Sequence, residues 1–175
     1  MNPEKLKNPM RQIRIEKVVI NIGVGEGGER LRKAMTLLER LTGHKPAFTK
    51  AKVTNRDFGI RKGLPIGCKV TLRGEDAEKF LKRAFDVLEH KIPRSYFDKY
   101  GNFSFGIPDY TLFKDMKYDP DIGIFGMDIC VSFERPGYRI KRRKRCKTKV
   151  PERHRTTVEE VIQFLKEKFN VEVIE

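Results

Sequence analysis

Residues 57–73 read DFGIRKGLPIGCKVTLR, two extended runs on either side of a Gly/Pro turn. Asp57 to Arg61 and Ile66 to Arg73 are the expected arms of a long hairpin, and the tip of its KGLPIG turn carries Arg61 and Lys62. Strand–turn–strand stretches of this kind imply antiparallel pairing. Upstream, Ile13 to Val24 is rich in β-branched residues and ends in glycines, which reads as a buried strand. Arg30 to Leu41 sets Leu31, Ala34, Met35, Leu38 and Leu41 at helical spacing, closed by Gly43 and Pro46. Ala47 to Val53 is extended but basic, with Lys50 and Lys52 two apart and so on one face.

Downstream, Glu75 to Glu89 carries Ala77, Phe80, Leu81, Ala84, Phe85 and Leu88 on one helical stripe. His90 to Asn102 reads as a loop, and Asn102 to Ile107 as a short strand. Met127 to Phe133 alternates Met127, Ile129, Val131 and Phe133 against Asp128, Cys130 and Ser132, the pattern of a half-buried strand. Thr157 starts a capping box with Glu160 ahead of a third helix. The expected class is α+β: a two-layer, mainly antiparallel β-sheet with helices packed on one face, plus a basic C-terminal arm and a terminal helix. The expected divisions are an N-terminal arm over 1–10, the main domain over 11–134, the basic arm over 135–155, and a helix and tail over 156–175.

The chain has 175 residues, and its 12 Phe and 5 Tyr supply bulk for a core despite 35% charged residues. No apolar run approaches the roughly 20 residues of a membrane helix, and none reads as a signal peptide. Three widely spaced cysteines suit a reducing compartment, with Cys68 and Cys130 expected as small buried hydrophobes. A soluble cytoplasmic protein without membrane contact is expected.

Net charge is +14 and unevenly placed. Residues 135–155 hold eleven Lys/Arg and one acid, and residues 45–62 hold six and one, so these two runs carry the whole excess. Segregated like charge costs stability through self-repulsion. A polyanion that releases counterions on binding supplies the reason for it, and nucleic acid is the expected partner. The arm, with little apolar content, is expected to lack fixed structure until bound.

Other chemistry is poorly supported. Gly23, Gly25 and Gly28 spell G-x-G-x-x-G between a strand and a helix, but the next extended run is basic where a ribose-binding acid belongs. No nucleophile has a recognisable base, and the histidines and cysteines lack metal-ligand spacing. Asp109, Asp115, Asp119 and Asp121 lack a Ca²⁺-loop pattern. A non-enzyme without cofactor or metal is expected. The rivals are a nucleotide-dependent enzyme using the Gly23–Gly28 corner and a general basic binder led by the arm.

EKVVINIGVGEG, LTGHKPAFTKAK, FGIRKGLPIGCKVTLRG, GNFSFGI and GMDICVSF follow one another in this chain. In that order they resemble the universal large-subunit ribosomal protein five family, whose members bind 5S ribosomal RNA. The match runs from about Arg11 to Phe133, and the tail ERPGYRIKRRKRCK resembles the archaeal and eukaryotic branch. The low glutamine content beside heavy Lys, Glu and Arg also suits a thermophilic, archaeal source.

The resemblance implies a structural role in the central protuberance, docking 5S rRNA onto the large rRNA beside another 5S-binding protein. It implies 5S contacts from Asn21, His44, Phe58 and Thr71, with His44 standing where most members have Gln. The cations Lys45, Lys50, Lys52 and Arg56 flank Phe58 as a stacking platform. The tip Arg61, Lys62, Gly63, Leu64, Pro65 and Ile66 resembles the loop that reaches P-site tRNA. A bridge to a small-subunit head protein is also implied, and the chain is expected as a monomer within the ribosome. Arg139, Lys141, Arg142, Arg143, Lys144, Arg145, Lys147 and Lys149 are expected on large-subunit rRNA phosphates.

Overall fold

The computed structural model describes residues 8–174. Most of the arm expected at 1–10 lies outside them; Pro9–Arg11 forms one 3-10 turn, capped by the Asn8 side chain. The strands and helices, in order, are β1 (Arg14–Gly23), α1 (Glu29–Thr42), β2 (Ala47–Lys50), β3 (Pro65–Leu72), α2 (Gly74–Val87), β4 (Lys91–Pro93), β5 (Phe103–Ile107), β6 (Met127–Glu134), α3 (Val158–Phe169) and β7 (Glu172–Ile174). Five strands form a mainly antiparallel sheet in the order β2-β3-β1-β6-β5, and β4 pairs parallel with β7. The α+β class is as the sequence implies.

The chain forms two compact units. One contains the described residues through Val18, Arg73–Ser104 and 131–174; the other contains Val19–Leu72 and Phe105–Cys130. In the second unit, α1 packs on β3 with Leu31, Ala34, Leu37, Leu38 and Leu41 buried. Leu37 takes the place expected of Met35, which is half-buried. Each fully buried Leu contributes about 1.5–3 kcal/mol of hydrophobic stabilisation. Gly43 ends the helix at φ 69°, its amide donating to the Glu39 carbonyl, a conformation that favours glycine. On β3, Cys68, Val70 and Leu72 are buried, whereas Lys69 and Thr71 point to the open side.

The hairpin differs from its expected form. β3 pairs with β2, not with Asp57–Arg61: Ala47 faces Lys69, Phe48 faces Cys68 and Thr49 faces Gly67. The register shifts between Thr49 and Lys50, so the two-residue period does not carry on to Lys52. The Gly/Pro turn misleads because it is a local bend inside a long loop rather than its apex.

In the first unit, α2 buries Ala77, Phe80, Leu81, Ala84 and Phe85, while Leu88 is only half-buried beyond its end. Phe85 stacks on Phe103 at 6.2 Å and meets Phe169 edge-on at 5.4 Å; Phe133 joins Phe103 to Phe164. Helix α3 opens with the Thr157–Glu160 capping box, worth about 1 kcal/mol, and buries Val161, Leu165 and Phe169. The β4–β7 pair was not legible, since three-residue strands carry no periodicity.

The basic arm also departs from expectation. It is folded into 3-10 turns at Tyr138–Lys141 and Glu152–His154, with Tyr138 and Val150 buried. Glu16 and Glu134, their side chains 8% and 7% exposed, receive its cations. Arg142 pairs with both, Lys141 lies 3.9 Å from Glu16, and Arg14 pairs with Glu134 at 2.6 Å. The run's own composition could not show this, because both carboxylates come from strands outside it.

Cys68 is buried and its thiol is pushed up to about 11 by desolvation. Cys130 is exposed rather than buried, because it shares the open face of β6 with Asp128. Burial holds the neutral Cys68 thiol, so its contribution to stability is present below pH 9 and is lost as pH rises toward 11. At pH 8, iodoacetamide will label Cys130 and Cys146 in the folded chain and Cys68 only after unfolding; mass spectrometry of early labelling showing Cys68 modified would contradict this. Gly101, at φ 78°, would set an added Cβ 2.6 Å from Val161 Cγ2 and 3.1 Å from the Thr157 carbonyl. Gly101→Ala should therefore cost on the order of 1–3 kcal/mol, read as a lower urea midpoint at unchanged m-value.

Candidate nucleic-acid interface

The second unit presents the residues singled out around the hairpin. β1 buries Ile20 and Ile22 and turns Asn21 to the opposite side, as β3 does with Lys69 and Thr71. These strands are neighbours, so Asn21, Lys69 and Thr71 share one polar sheet face. His44 and Lys45 follow the C-terminus of α1 and are exposed. His44 Nδ1 lies 3.0 Å from the Thr42 carbonyl. That oxygen can only accept, so Nδ1 carries the proton and neutral His44 keeps Nε2 as an acceptor.

Residues 51–64 form a braced loop. Ala51 donates to the Leu64 carbonyl at 2.8 Å and accepts from Gly63 at 3.0 Å. Further out, Asn55 and Ile60 exchange both backbone bonds, and Lys62 donates to Thr54 Oγ1. Arg61 to Leu64 is thus a turn folded back onto Ala51, and the loop's apex is Arg56–Gly59. Phe58 sits there, 75% exposed, with Lys52, Arg56, Arg61 and Lys62 exposed on the same loop. Val53, 73% exposed, and the half-exposed Phe48 were missed. Phe48 faces Cys68 but belongs to an edge strand, so only the register reveals that half of its ring stays in water.

The arm's cations divide by what they touch. Lys141 and Arg142 neutralise buried carboxylates, and Arg143 Nε donates to the Cys146 carbonyl at 2.7 Å. Arg139, Lys144, Arg145, Lys147 and Lys149 are exposed and make no ion pair among the described residues.

The glycine corner ties the end of β1 to its neighbour β3. The Val24 and Gly25 amides both donate to the Ile66 carbonyl, at 3.0 and 2.8 Å. These two amides are thus engaged within the sheet, joining the end of β1 to β3. Asp119 is held below the usual carboxylate range by its hydrogen bond from Arg40, a tie within the second unit. Among the described residues no cluster of three His, Cys, Asp or Glu could hold a metal ion. No helix among them is long and apolar enough to cross a membrane.

Residues 8–61 match the family model described as ribosomal protein L5, and residues 65–164 match the C-terminus of the same family. The chain belongs to the ribosomal protein L5 family. It is 60% identical over 172 residues, 98% of each chain, to the large ribosomal subunit protein uL5 of Picrophilus torridus. It is 56% identical over 169 residues, 96% of each chain, to the protein of that name from Sulfurisphaera tokodaii. A third archaeal relative, from Sulfolobus acidocaldarius, is 51% identical over 175 residues. The L5 family consists of structural proteins and not enzymes, which removes the nucleotide-dependent reading of the glycine corner. These matches extend past Phe133, so this L5 chain carries the arm and α3 as family features.

The ion pairs at Glu16 and Glu134 should hold the arm in place. In a Glu16→Gln/Glu134→Gln variant, trypsin should cut between Arg139 and Lys149 about tenfold faster, or ~1.4 kcal/mol on local opening. An unchanged rate in the folded variant would mean that Tyr138 and Val150 anchor the arm by themselves.

Proposed function

We propose that this chain is a structural constituent of the large ribosomal subunit that binds 5S rRNA and attaches it to the large rRNA. Family membership and relatives named as large ribosomal subunit proteins support the subunit assignment. The observation that carries the 5S reading is Phe58, left 75% in water at the apex of a braced, cation-bearing loop. A large aromatic ring held in that position is a stacking platform for an unpaired base, with Lys52 and Arg56 neutralising the backbone beside it. Asn21 and Thr71 offer polar groups on the open sheet face, and His44 and Lys45 extend that surface at the end of α1. Lys50 adds charge at the foot of the loop.

Arg61 to Ile66 serves P-site tRNA: two cations on a turn pinned to Ala51 suit phosphate contact without base readout. The exposed arm cations Arg139, Lys144, Arg145 and Lys147, with Arg143, engage large-subunit rRNA phosphates. Lys141 and Arg142 set the arm's course. In the cytoplasmic ribosome the chain acts as a monomer beside a second 5S-binding protein and touches a small-subunit head protein. Nothing in this role calls for a cofactor.

Phe58→Ala should weaken 5S rRNA binding by on the order of 1–3 kcal/mol with the slope of log affinity against log salt unchanged, since a ring and not a charge is lost. A gel-shift titration at several salt concentrations reads both quantities. Unaltered affinity in a folded variant refutes the stacking role.

A further inference from the structure

The first unit contains a cavity of about 580 Å3 between β1, β6 and the basic arm, which the contacts proposed above leave without a task. Five cations line it, Lys17, Lys141, Arg142, Lys149 and Arg155, against one carboxylate, Glu16. Arg142 at 3.2 Å and Lys141 at 3.9 Å already neutralise Glu16. That leaves Lys17, Lys149 and Arg155 as uncompensated charge around a partly enclosed space, where an anion is attracted more strongly than at an open surface.

Arg155 is held as a flat plate. Its guanidinium carbon lies 5.0 Å over the Tyr100 ring, Nη1 donates to Tyr100 Oη at 2.7 Å, and Nε donates to the Val150 carbonyl at 3.2 Å. Lys17 and Lys149 make no ion pair among the described residues, and there the Ser132 hydroxyl on the same wall has no hydrogen-bond partner. A bare phosphate would fill only a small part of this volume, which lies in the range of small-molecule sites. Guanidinium planes stack on unpaired bases, and ammonium groups take phosphates.

We propose that this cavity receives one unstacked nucleotide of the bound 5S rRNA. Lys17 and Lys149 neutralise its phosphate, the Arg155 plate stacks its base, and Ser132 meets the base edge. The proposal rests on the RNA-binding reading above and adds a second recognition point on the other unit, independent of Phe58.

Two measurements on the full chain test it. In NMR titrations, uridine 5′-monophosphate should shift the Tyr100, Asn102 and Ser132 amides saturably, ribose 5-phosphate should do so more weakly, and inorganic phosphate should leave them in place. Lys17→Gln/Lys149→Gln should weaken the nucleotide response at least tenfold, with the thermal midpoint checked for folding. Against 5S rRNA, the same double variant should reduce the salt slope by about 0.7, the share of the one phosphate that the two lysines neutralise. A charge-matched Lys82→Gln/Lys166→Gln control, on exposed helix positions outside the cavity, should leave the slope alone. No saturable shift, an equal response to inorganic phosphate, or a slope matching the control overturns the proposal. An unchanged slope with nucleotide binding intact assigns the cavity to a free nucleotide and overturns its RNA role. If the wild-type chain fails to bind 5S rRNA at all, the functional reading falls with that role; the nucleotide titration contains no 5S rRNA and separates the two failures.

Discussion

Glu16 on β1 and Glu134 at the end of β6 have their side chains almost wholly withdrawn from water. Taking a carboxylate out of water costs several kcal/mol unless a cation replaces the lost hydration. Arg14, Lys141 and Arg142 fill that role, and two of the three come from the basic arm. The demand of two buried anions therefore determines where a run of eleven cations lies. Tyr138 and Val150 are buried in the arm so placed, and the cavity walled by Glu16 and the arm follows from the same placement.

A net charge of +14 is tolerable in this chain because it is divided by function. Some cations are structural and paired with acids inside the fold. Others stand on the 51–64 loop and on the exposed part of the arm, where they repel one another until an anion arrives. The loop tolerates its load because backbone hydrogen bonds at Ala51 and Asn55 hold it, so its charges and the Phe58 ring are presented in a set arrangement. Pre-ordered charge and an exposed ring lower the entropy lost on binding, which suits recognition of a shaped RNA surface.

Much of the candidate interface was legible. Phe58 with its neighbouring cations is a local pattern, and so is the alternation that turns Thr71 away from the buried side of β3. Less legible was what each cation does. Lys141 and Arg142 look in sequence like their neighbours Arg143 and Lys144, yet both face Glu16, near the other end of the sequence, and Arg142 also pairs with Glu134 on β6. Cys130 shows the reverse case: the alternation of β6 already placed it on the open face, and only the general habit of cysteine pointed inward.

Amphipathic spacing, a capping box and a left-handed glycine are short-range features, so the sequence by itself determined the three helices, the strands with a clear period and the charged runs between them. Family motifs, read residue by residue, carried the same local information through to a ribosomal identity. Tertiary structure decided what depends on distant partners: the β2–β3 register, the apex of the 51–64 loop, the β4–β7 pair and the course of the arm. Register and ion pairing are choices among many alternatives of similar local energy. They are settled only when burial makes one strand alignment and one set of charge partners cheaper than the rest.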